Sequence, residues 1–311
     1  MDIKLFETEK VQDFLRLAAG LDYEGGSPRV KEIVHRIISD LFQTIEDLNI
    51  TPDEFWAGIA YLNRLGTAHE AGLLSPGLGF DAYLDMRMDA EDEALGIESG
   101  TPRTIEGPLY VVGAPVEQGY ARLDDGSDEG KTLIVHGTVY GADGSPVPGA
   151  QVEVWHCNTK GFYSHFDPTG EQKPFNMRRT IIADDKGQYK YRTIVPHGYG
   201  CPPDGPTQEL LNHLGRHGNR PAHIHYFVSA DNHRKLTTQI NIEDDPLVND
   251  DFAFATRDGL VPPLVERNDE ASIKAEGLDG PFAEIVFDVH LTPLVEGEDN
   301  QIVERDRKVG A

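Results

Sequence analysis

Residues 133–140, Leu-Ile-Val-His-Gly-Thr-Val-Tyr, decide the fold of the larger part of this chain. Apolar side chains recur there at every second position, which is the period of a β-strand that rests one face on a core. The same alternation returns in four later segments, at residues 152–155, 189–195, 236–242 and 282–291. A turn at Asp143-Gly144 predicts that the first two segments form a hairpin. Because glycine, proline and aspartate turns separate the segments without helical crossovers, we predict an antiparallel β-sandwich.

Residues before about position 100 follow a different period, with apolar residues spaced three and four apart. A Ser-Pro pair at residues 27–28 predicts the start of a long helix, whose apolar stripe runs over residues 30–48. A capping box at residues 51–54 predicts a further helix. An acidic passage at residues 89–102 is interpreted as a loop between two regions. The prediction is thus an N-terminal α-helical bundle domain and a mainly β sandwich domain, at residues 1–100 and 101–311.

The composition excludes several classes of function. Among the 311 residues, 53 are acidic and 28 are basic, so the formal net charge is −25 with neutral histidines. This charge repels the phosphates of nucleic acids and anionic membrane surfaces, so we expect neither as a partner. No apolar run reaches the roughly 18 to 20 residues that a membrane helix needs, and the first residues do not resemble a signal peptide. We therefore expect a cytoplasmic protein, whose two cysteines, Cys157 and Cys201, stay thiols.

Two histidines, His223 and His225, give the clearest indication of chemistry. Alternate side chains of a strand share a face, so the two imidazoles point the same way. This spacing fits a metal site, and it equally fits histidines that only pack inside a β-sandwich binding module. A carboxylate would complete a two-histidine Fe(II) site. Tyrosines in the loops at residues 161–164 and 196–200 compete with it as ligands, and spacing alone leaves these alternatives open.

Three motifs in chain order resemble the intradiol ring-cleaving dioxygenases, namely Gly-Phe-Tyr-Ser at 161–164, Pro-His-Gly-Tyr-Gly at 196–200 and Asn-Arg-Pro-Ala-His-Ile-His at 219–225. The stretch Leu-Leu-Ser-Pro-Gly-Leu-Gly at 73–79 and the N-terminal helices are similar to the branch of this family that acts on catechol. The resemblance covers essentially the whole chain. It implies one non-haem Fe(III) per subunit, held by Tyr163, Tyr199, His223 and His225. Tyr199 and His225 would be the axial ligands.

The resemblance also implies a reaction and the residues that perform it. The family branch cleaves catechol with O2 between the two hydroxylated carbons to give cis,cis-muconate, a step of aromatic catabolism in the β-ketoadipate pathway. Tyr199 would act as a general base, Arg220 would stabilise carbanion character on the ring, and Gln239 would support it. The implied substrate pocket is small and apolar, with the wall residues Leu73, Pro76, Ile105, Pro108, Leu109, Phe252 and Ala253.

The family pairs its subunits through the N-terminal helices and often holds a phospholipid between them. The apolar stripe over residues 30–48 is compatible with such a homodimer. A hydroxyquinol or chlorocatechol 1,2-dioxygenase would use the same iron site, so the resemblance leaves the range of accepted rings open. Colour distinguishes the classes, because phenolate-to-Fe(III) charge transfer makes a protein wine-red, whereas an Fe(II) site or a binding module is pale.

Overall fold

The computed structural model describes residues 4–98, 100–295 and 308–309. Contacts between Cα atoms divide the chain into two compact units, Met1–Thr67 and Ala68–Ala311. This division falls earlier than the domain boundary expected at residue 100, because two helices that precede residue 100 belong to the same unit as the large sheets. Every helix in the described part of the chain is too short or too polar to traverse a lipid bilayer.

Within its described residues, the first unit contains three helices, α1 (Glu9–Ala18), α2 (Pro28–Asp47) and α3 (Pro52–Thr67). The predicted start of α2 is confirmed, because the Val30 N–H donates to the Ser27 hydroxyl at 3.4 Å. The capping box before α3 is confirmed as well. The Thr51 N–H donates to the Glu54 carboxylate at 2.8 Å, and the Glu54 N–H donates to the Thr51 hydroxyl at 3.3 Å. Local side-chain hydrogen bonds therefore fix where these helices begin.

The apolar stripe of α2 stays largely exposed in a single chain. No side chain of this helix is buried, and Val30, Ile37 and Leu41 are each more than half exposed. Trp56 and Leu62 of α3 are exposed as well. Clusters of large exposed apolar side chains are uncommon on monomers, so this face indicates an interaction surface.

In its described residues, the second unit combines four helices with two large β-sheets. The helices are α4 (Ala71–Gly77), α5 (Phe80–Ala94), α6 (Pro206–His213) and α7 (Glu270–Ala275). The first part of the acidic passage, which we predicted as a loop, therefore belongs to α5. Its acids look like solvated charges in the sequence, but Asp89 and Asp92 form ion pairs with Arg103, Arg234 and Arg257. These pairs tie the helix to segments of the β region.

The described strands are β1 (Val111–Val112), β2 (Val116–Gln118), β3 (Tyr120–Arg122), β4 (Thr132–Tyr140), β5 (Gln151–Trp155), β6 (Arg178–Ile182), β7 (Gln188–Ile194), β8 (Tyr199–Gly200), β9 (Asn219–Arg220), β10 (His223–Ser229), β11 (Leu236–Asn241), β12 (Val265–Arg267), β13 (Phe282–Val286), β14 (Val289–His290) and β15 (Lys308–Val309). Two large sheets contain most of these strands. One has the strand order β11-β10-β5-β6-β2, and the other follows the path β12-β13-β4-β7-β3, with β14 beside β4. Two short ladders pair β8 with β9 and β1 with β15.

Both large sheets are mixed, so the predicted sandwich is confirmed but its purely antiparallel character is wrong. β10 pairs antiparallel with β5 and β11, whereas β2, β3 and β13 run parallel to β6, β7 and β4. A period of two is common to parallel and antiparallel strands, so it does not determine direction. The predicted hairpin is also wrong, because β4 and β5 lie in different sheets and the turn at Asp143-Gly144 lies on the connection between them.

The main hydrophobic core joins the inner faces of the two sheets. β4 contributes Leu133 and Val135 to it, and β10 contributes Ile224 and Tyr226. Because side chains alternate along a strand, His225 faces away from this core. The fold thus places the candidate ligands of β10 on the outer face of the five-stranded sheet.

Gly137 lies in β4 at a position where no larger residue fits. A Cβ atom added there would be 1.9 Å from the backbone oxygen of Phe287, far inside van der Waals contact. We expect Gly137→Ala to lower the free energy of unfolding by about 1 to 3 kcal/mol, because the neighbouring backbone must move. Urea unfolding followed by circular dichroism measures this loss. Gly280→Ala is the control, since nothing lies within 4 Å of its added Cβ, and an equal loss in both variants would contradict the explanation.

Candidate metal centre

Three segments bring tyrosine and histidine side chains to one place. His223 and His225 project from β10, Tyr163 lies in the loop after β5, and Tyr199 begins β8. Gly161 allows the two tyrosine segments to approach each other. It adopts a φ of +79°, and an added Cβ would be 2.9 Å from the Cβ of Tyr199. The structure therefore brings together all four side chains that the sequence motifs predict as ligands.

The donor atoms of these four side chains converge on one point. His223 Nε2 is 3.1 Å from His225 Nε2 and 3.4 Å from the phenol oxygens of both Tyr163 and Tyr199. The two phenol oxygens are 3.4 Å apart. The Trp155 indole stacks on the His225 imidazole, with 4.9 Å between ring centres and 7° between planes, which fixes the orientation of that imidazole. Only Tyr199 among the four is half-buried rather than buried.

The protonation states of the four groups follow from their surroundings. The His223 Nδ1–H donates to the Pro221 carbonyl at 2.7 Å, so the lone pair of Nε2 faces the other donors. Burial and then the nearby Arg220 charge lower the pKa of His223 to about 3. Burial, helped by the neighbouring imidazole, lowers the pKa of His225 well below its usual value, and burial raises the pKa of both phenols. The imidazoles are therefore neutral at pH 7, and the phenols ionise only beside a strong cation.

This donor set fits a ferric ion. Neutral imidazoles bind metals through lone pairs, and phenols bind as anions when a strong Lewis acid displaces their protons. Two phenolates offset most of the charge of Fe(III), which favours the ferric over the ferrous state. Across the residues that the structure describes, no three His, Cys, Asp or Glu side chains are grouped so as to hold a metal. The alternative of two histidines with a carboxylate therefore lacks its third ligand there.

Arg220 lies beside the four candidate ligands, forms a buried ion pair and is only 4% exposed. Its Nη2 donates to Asp251 at 3.0 Å and to Gln239 Oε1 at 2.7 Å, and its Nη1 is 2.9 Å from His223 Nε2. Burial alone would raise the pKa of Asp251, but the charge and hydrogen bonds of Arg220, together with the N–H of Ala253, outweigh burial and lower that pKa. The guanidinium is thus a fixed cation that faces the ligand cluster.

Gln239 and Asp251 hold this guanidinium from two directions. Gln239 stands opposite His225 in the ladder of β10 and β11, and its amide nitrogen donates to Asn241 at 2.7 Å, so its oxygen is left for Arg220. Asp251 is a member of the candidate site that the sequence does not reveal, because it resembles the many solvated acids of this chain. Its distinguishing feature is burial against Arg220, which depends on the fold.

Four of the predicted pocket residues belong to two apolar clusters, and the segment 105–109 contributes one residue to each cluster. Ile105 packs in a buried cluster with Phe252 and Ala253. Leu109 packs against a second cluster, which contains one of the tyrosine ligands. The segment therefore connects an apolar wall to the ligand cluster.

The other three predicted pocket residues lie on α4 or are exposed. Leu73 and Pro76 belong to α4, the first half-buried and the second buried. An added Cβ at Gly77 would be 3.2 Å from the ring of Phe252, so α4 packs closely against the buried wall. Pro108 is exposed and belongs to neither apolar cluster.

Two family models match the chain. The model described as "Dioxygenase" covers residues 105–293, and the model described as "Catechol dioxygenase N terminus" covers residues 27–96. The first span contains the four predicted ligands as well as Arg220 and Gln239. The second span contains helices α2 to α5.

Known proteins share the sequence and the fold over nearly the whole length. The catechol 1,2-dioxygenase of Acinetobacter baylyi is 71% identical over 308 residues, which are 99% of each chain. The structure of catechol 1,2-dioxygenase from Acinetobacter sp. ADP1 inhibited by bound mercury matches with a TM-score of 0.95 at 70% identity, over 99% of this chain and 100% of that one. A chlorocatechol 1,2-dioxygenase of Pseudomonas putida and a hydroxyquinol 1,2-dioxygenase of a Rhizobium strain are more distant, at 34% and 33% identity over 76% and 75% of this chain, and 86% and 79% of their own. This chain therefore belongs to the catechol dioxygenase family of intradiol ring-cleaving enzymes.

Proposed function

We propose that this protein is a catechol 1,2-dioxygenase, which cleaves catechol with O2 between its two hydroxylated carbons to give cis,cis-muconate in aromatic catabolism. The observation that carries the proposal is the convergence of Tyr163, Tyr199, His223 and His225 on one point. The relatives named for catechol are far more similar to this chain than those named for chlorocatechol or hydroxyquinol, which supports catechol as the substrate.

The cofactor of this proposal is one Fe(III) per subunit. The phenolate oxygens of Tyr163 and Tyr199 and the Nε2 atoms of His223 and His225 would hold it. When bound, the ferric ion acts as a Lewis acid that keeps the diol ionised, so that the electron-rich ring reacts with O2. The protein's own side chains supply the binding site, a proton acceptor and surroundings that exclude water.

Tyr199 is the proposed general base. It is the least buried of the four ligands and lies in a strand of only two residues, whereas Tyr163 is fully enclosed. Its phenol oxygen is therefore the donor best placed to leave the cluster and take one of the catechol protons.

Arg220 is proposed to stabilise the negative charge that develops on the ring. Asp251 and Gln239 already hold its guanidinium in place, so no reorganisation is needed as that charge appears. The charge of Arg220 acts in buried surroundings, where electrostatic interactions are stronger than in water.

The proposed substrate pocket has apolar walls. Such walls exclude water and hold an unsubstituted ring by contact. A pocket of this kind discriminates one added methylene or a similar group by only about 1 to 3 kcal/mol, so the range of rings must be measured. The proposed wall residues are Leu73, Pro76, Ile105, Pro108, Leu109, Phe252 and Ala253.

A panel of diols tests the substrate. The purified protein is supplied with catechol, a chlorocatechol and hydroxyquinol, and the ring-opened products are followed by their ultraviolet absorbance. We expect the largest kcat/KM with catechol. A larger kcat/KM with another diol would make that diol the preferred substrate. Cleavage of any ring bond other than the one between the two hydroxylated carbons would refute intradiol chemistry.

Removal of iron is expected to abolish both colour and activity. After reduction and chelation, the wine-red absorption should vanish and ring cleavage should fall below detection, because the buried phenols return to their protonated form. Ferrous iron in air should restore both properties, whereas Zn(II), which has no redox chemistry, should restore neither. A colourless protein that still cleaves catechol would contradict the ferric site.

Residues 1–100 and 101–311 are proposed as the helical dimerisation and linker domain and as the catalytic domain. The family models support this division, since one ends at residue 96 and the other begins at residue 105.

A homodimer through the N-terminal helices, with a phospholipid at the interface, is proposed as well. The exposed apolar face of α2 supports this dimer. Size-exclusion chromatography with light scattering tests the dimer, and one chain mass at micromolar concentration would contradict it. Mass spectrometry of a solvent extract tests the lipid.

A cytoplasmic location completes the proposal. Cys157 and Cys201 are both buried thiols without a disulfide, which suits a reducing compartment. The net charge of −25 supports the expectation that neither nucleic acid nor a membrane is a partner. Fractionation of expressing cells, with catechol cleavage assayed in each fraction, tests the location.

A further inference from the structure

Arg178 is a buried cation beside the ligand cluster. It is 1% exposed, and its Cζ lies 5.6 Å from the ring centre of Tyr163. The strand pairing places Gln239, His225, Trp155 and Arg178 in one row across the five-stranded sheet. The Trp155 indole therefore lies between Arg178 and the imidazole on which it stacks.

The hydrogen bonds of Arg178 leave its charge without a carboxylate partner. Its Nε donates to the Ser164 hydroxyl at 3.0 Å, and its Nη2 donates to the Ser164 carbonyl at 3.2 Å. Both partners are neutral. Its Nη1 has no hydrogen-bond partner within the described part of the chain, and no carboxylate described there acts on Arg178. The Ser164 hydroxyl in turn donates to the Asn176 carbonyl at 2.7 Å.

The buried charge of Arg178, which has only neutral hydrogen-bond partners, needs another source of stabilisation. An arginine guanidinium stays protonated at neutral pH, so Arg178 carries its full charge in this buried place. Removing a charge from water without an opposite charge nearby is strongly unfavourable, and proteins pair such groups or assign them a role. Two tyrosines lie in the surroundings of Arg178: the Tyr110 ring packs on the Trp155 indole, and the guanidinium itself lies over the Tyr163 ring. Tyr110 donates its hydroxyl to Glu153, so Tyr163 is the group that can become an anion at this place.

We propose that Arg178 is a positioning residue for the metal centre, whose fixed charge stabilises negative charge on the phenol oxygen of Tyr163. This inference rests on the proposed ferric site, because Tyr163 becomes an anion only there. The hydrogen bonds to Ser164 serve the same end, since they attach the guanidinium to the residue that follows the ligand. Arg178 thus both orients the tyrosine loop and supplies the compensating charge.

Substitutions that change the charge without removing polar contacts test this role. In the iron-loaded protein, we expect Arg178→Gln to move the phenolate-to-iron absorption to longer wavelength, because the phenolate electrons are held less tightly. The reduction potential of the iron should become more negative for the same reason. Arg178→Lys retains the charge and should remain close to the wild type in both measurements. Ser164→Ala removes a hydrogen bond but no charge, so it should leave the absorption maximum near that of the wild type.

The same variants distinguish a charge effect from loop positioning alone. If Ser164→Ala and Arg178→Gln produced equal spectral shifts, the guanidinium would act only by holding the loop. An unchanged spectrum and potential in Arg178→Gln would also overturn the proposal. A wild-type protein that lacks the absorption when loaded with iron would instead refute the proposed ferric site itself, so the two failures are distinguishable.

Thermal unfolding of the metal-free and iron-loaded forms provides a readout that needs no catalysis. In the metal-free form Tyr163 is protonated, so the charge of Arg178 has no anion to stabilise, and its removal should cost only the local contacts with Ser164 and the Tyr163 ring. In the loaded form the charge is compensated. We therefore expect Arg178→Met to reduce the rise in Tm that iron confers, compared with the wild type. An equal rise in both proteins would overturn the proposal, and failure of Arg178→Met to fold would leave the spectral comparison of Arg178→Gln with Arg178→Lys to decide it.

Discussion

Tyr199→Phe is expected to lower kcat for catechol cleavage by about 10²- to 10⁴-fold, the range typical of a lost general base. The variant has no phenol oxygen at this position, so neither the proton acceptor nor the ligand is present. We expect the wine-red absorption to weaken without vanishing, because Tyr163 still supplies one phenolate. Stopped-flow absorbance gives the rate, and the visible spectrum of the resting protein gives the remaining phenolate-to-iron charge transfer.

Two further tyrosine variants show whether the loss is specific to Tyr199. Tyr83→Phe is the control, since Tyr83 is exposed on α5 and should keep the activity and colour of the wild type. Tyr163→Phe removes the other phenolate but leaves the proposed base, so it should weaken iron binding more than it affects proton transfer. Full activity in Tyr199→Phe would refute its assignment as ligand and base.

Arg220→Met is expected to impair both rate and stability. The rate should fall by about 10²- to 10³-fold, as when a fixed electrostatic group is removed from an active site. The free energy of unfolding should fall by about 3 to 5 kcal/mol, because Asp251 is left as a buried charge without its partner. Steady-state kinetics and urea unfolding measure the two losses separately.

A double variant separates the two effects of Arg220. Adding Asp251→Asn to Arg220→Met removes the orphaned charge, so most of the stability should return while the rate stays low. Recovery of the rate in the double variant would contradict a direct role for Arg220 in the reaction. Equal stability of Arg220→Met and the wild type would contradict the ion pair.

The stability of Arg220→Met should also depend on pH in a direction opposite to that of the wild type. In the wild type the pKa of Asp251 is lowered, so its contribution to stability is present at neutral pH and is lost as the carboxylate is protonated in acid. In Arg220→Met the strongest influence that opposes burial is gone, so the pKa of Asp251 rises, and protonation removes the unpaired buried charge. The difference in unfolding free energy between the wild type and Arg220→Met should therefore become smaller as the pH is lowered from 7. Urea unfolding across this range measures it.

Helix starts and strand positions could be predicted because they depend on residues close together in the chain. The Ser-Pro pair at 27–28 and the capping box at 51–54 satisfy backbone groups only a turn away. Strand direction and partners depend instead on distant segments. The alternation in β4 is compatible with a hairpin to β5, but packing places β13 and β7 beside it. The local sequence pattern therefore predicted where helices and strands lie better than it predicted how the strands pair.

The same distinction applies to the site. His223 and His225 can be predicted to share a face because two residues of one strand determine this geometry. Their association with the two tyrosines depended on a resemblance, since three separate segments are involved. Asp251 and Arg178 could not be identified from the sequence, because their importance follows from burial and from which charges remain unpaired.

The side-chain alternation of β10 links assembly of the sheet to the colour of the proposed ferric site. Odd-numbered His223 and His225 face outward, toward the phenols of Tyr163 and Tyr199, and even-numbered Ile224 and Tyr226 face the interior. A misalignment by one residue would exchange the two sets and lose the chromophore and the packing together. The redness of bacterial colonies that express variants of this gene should therefore report, without any assay of catalysis, whether a single strand has been aligned correctly.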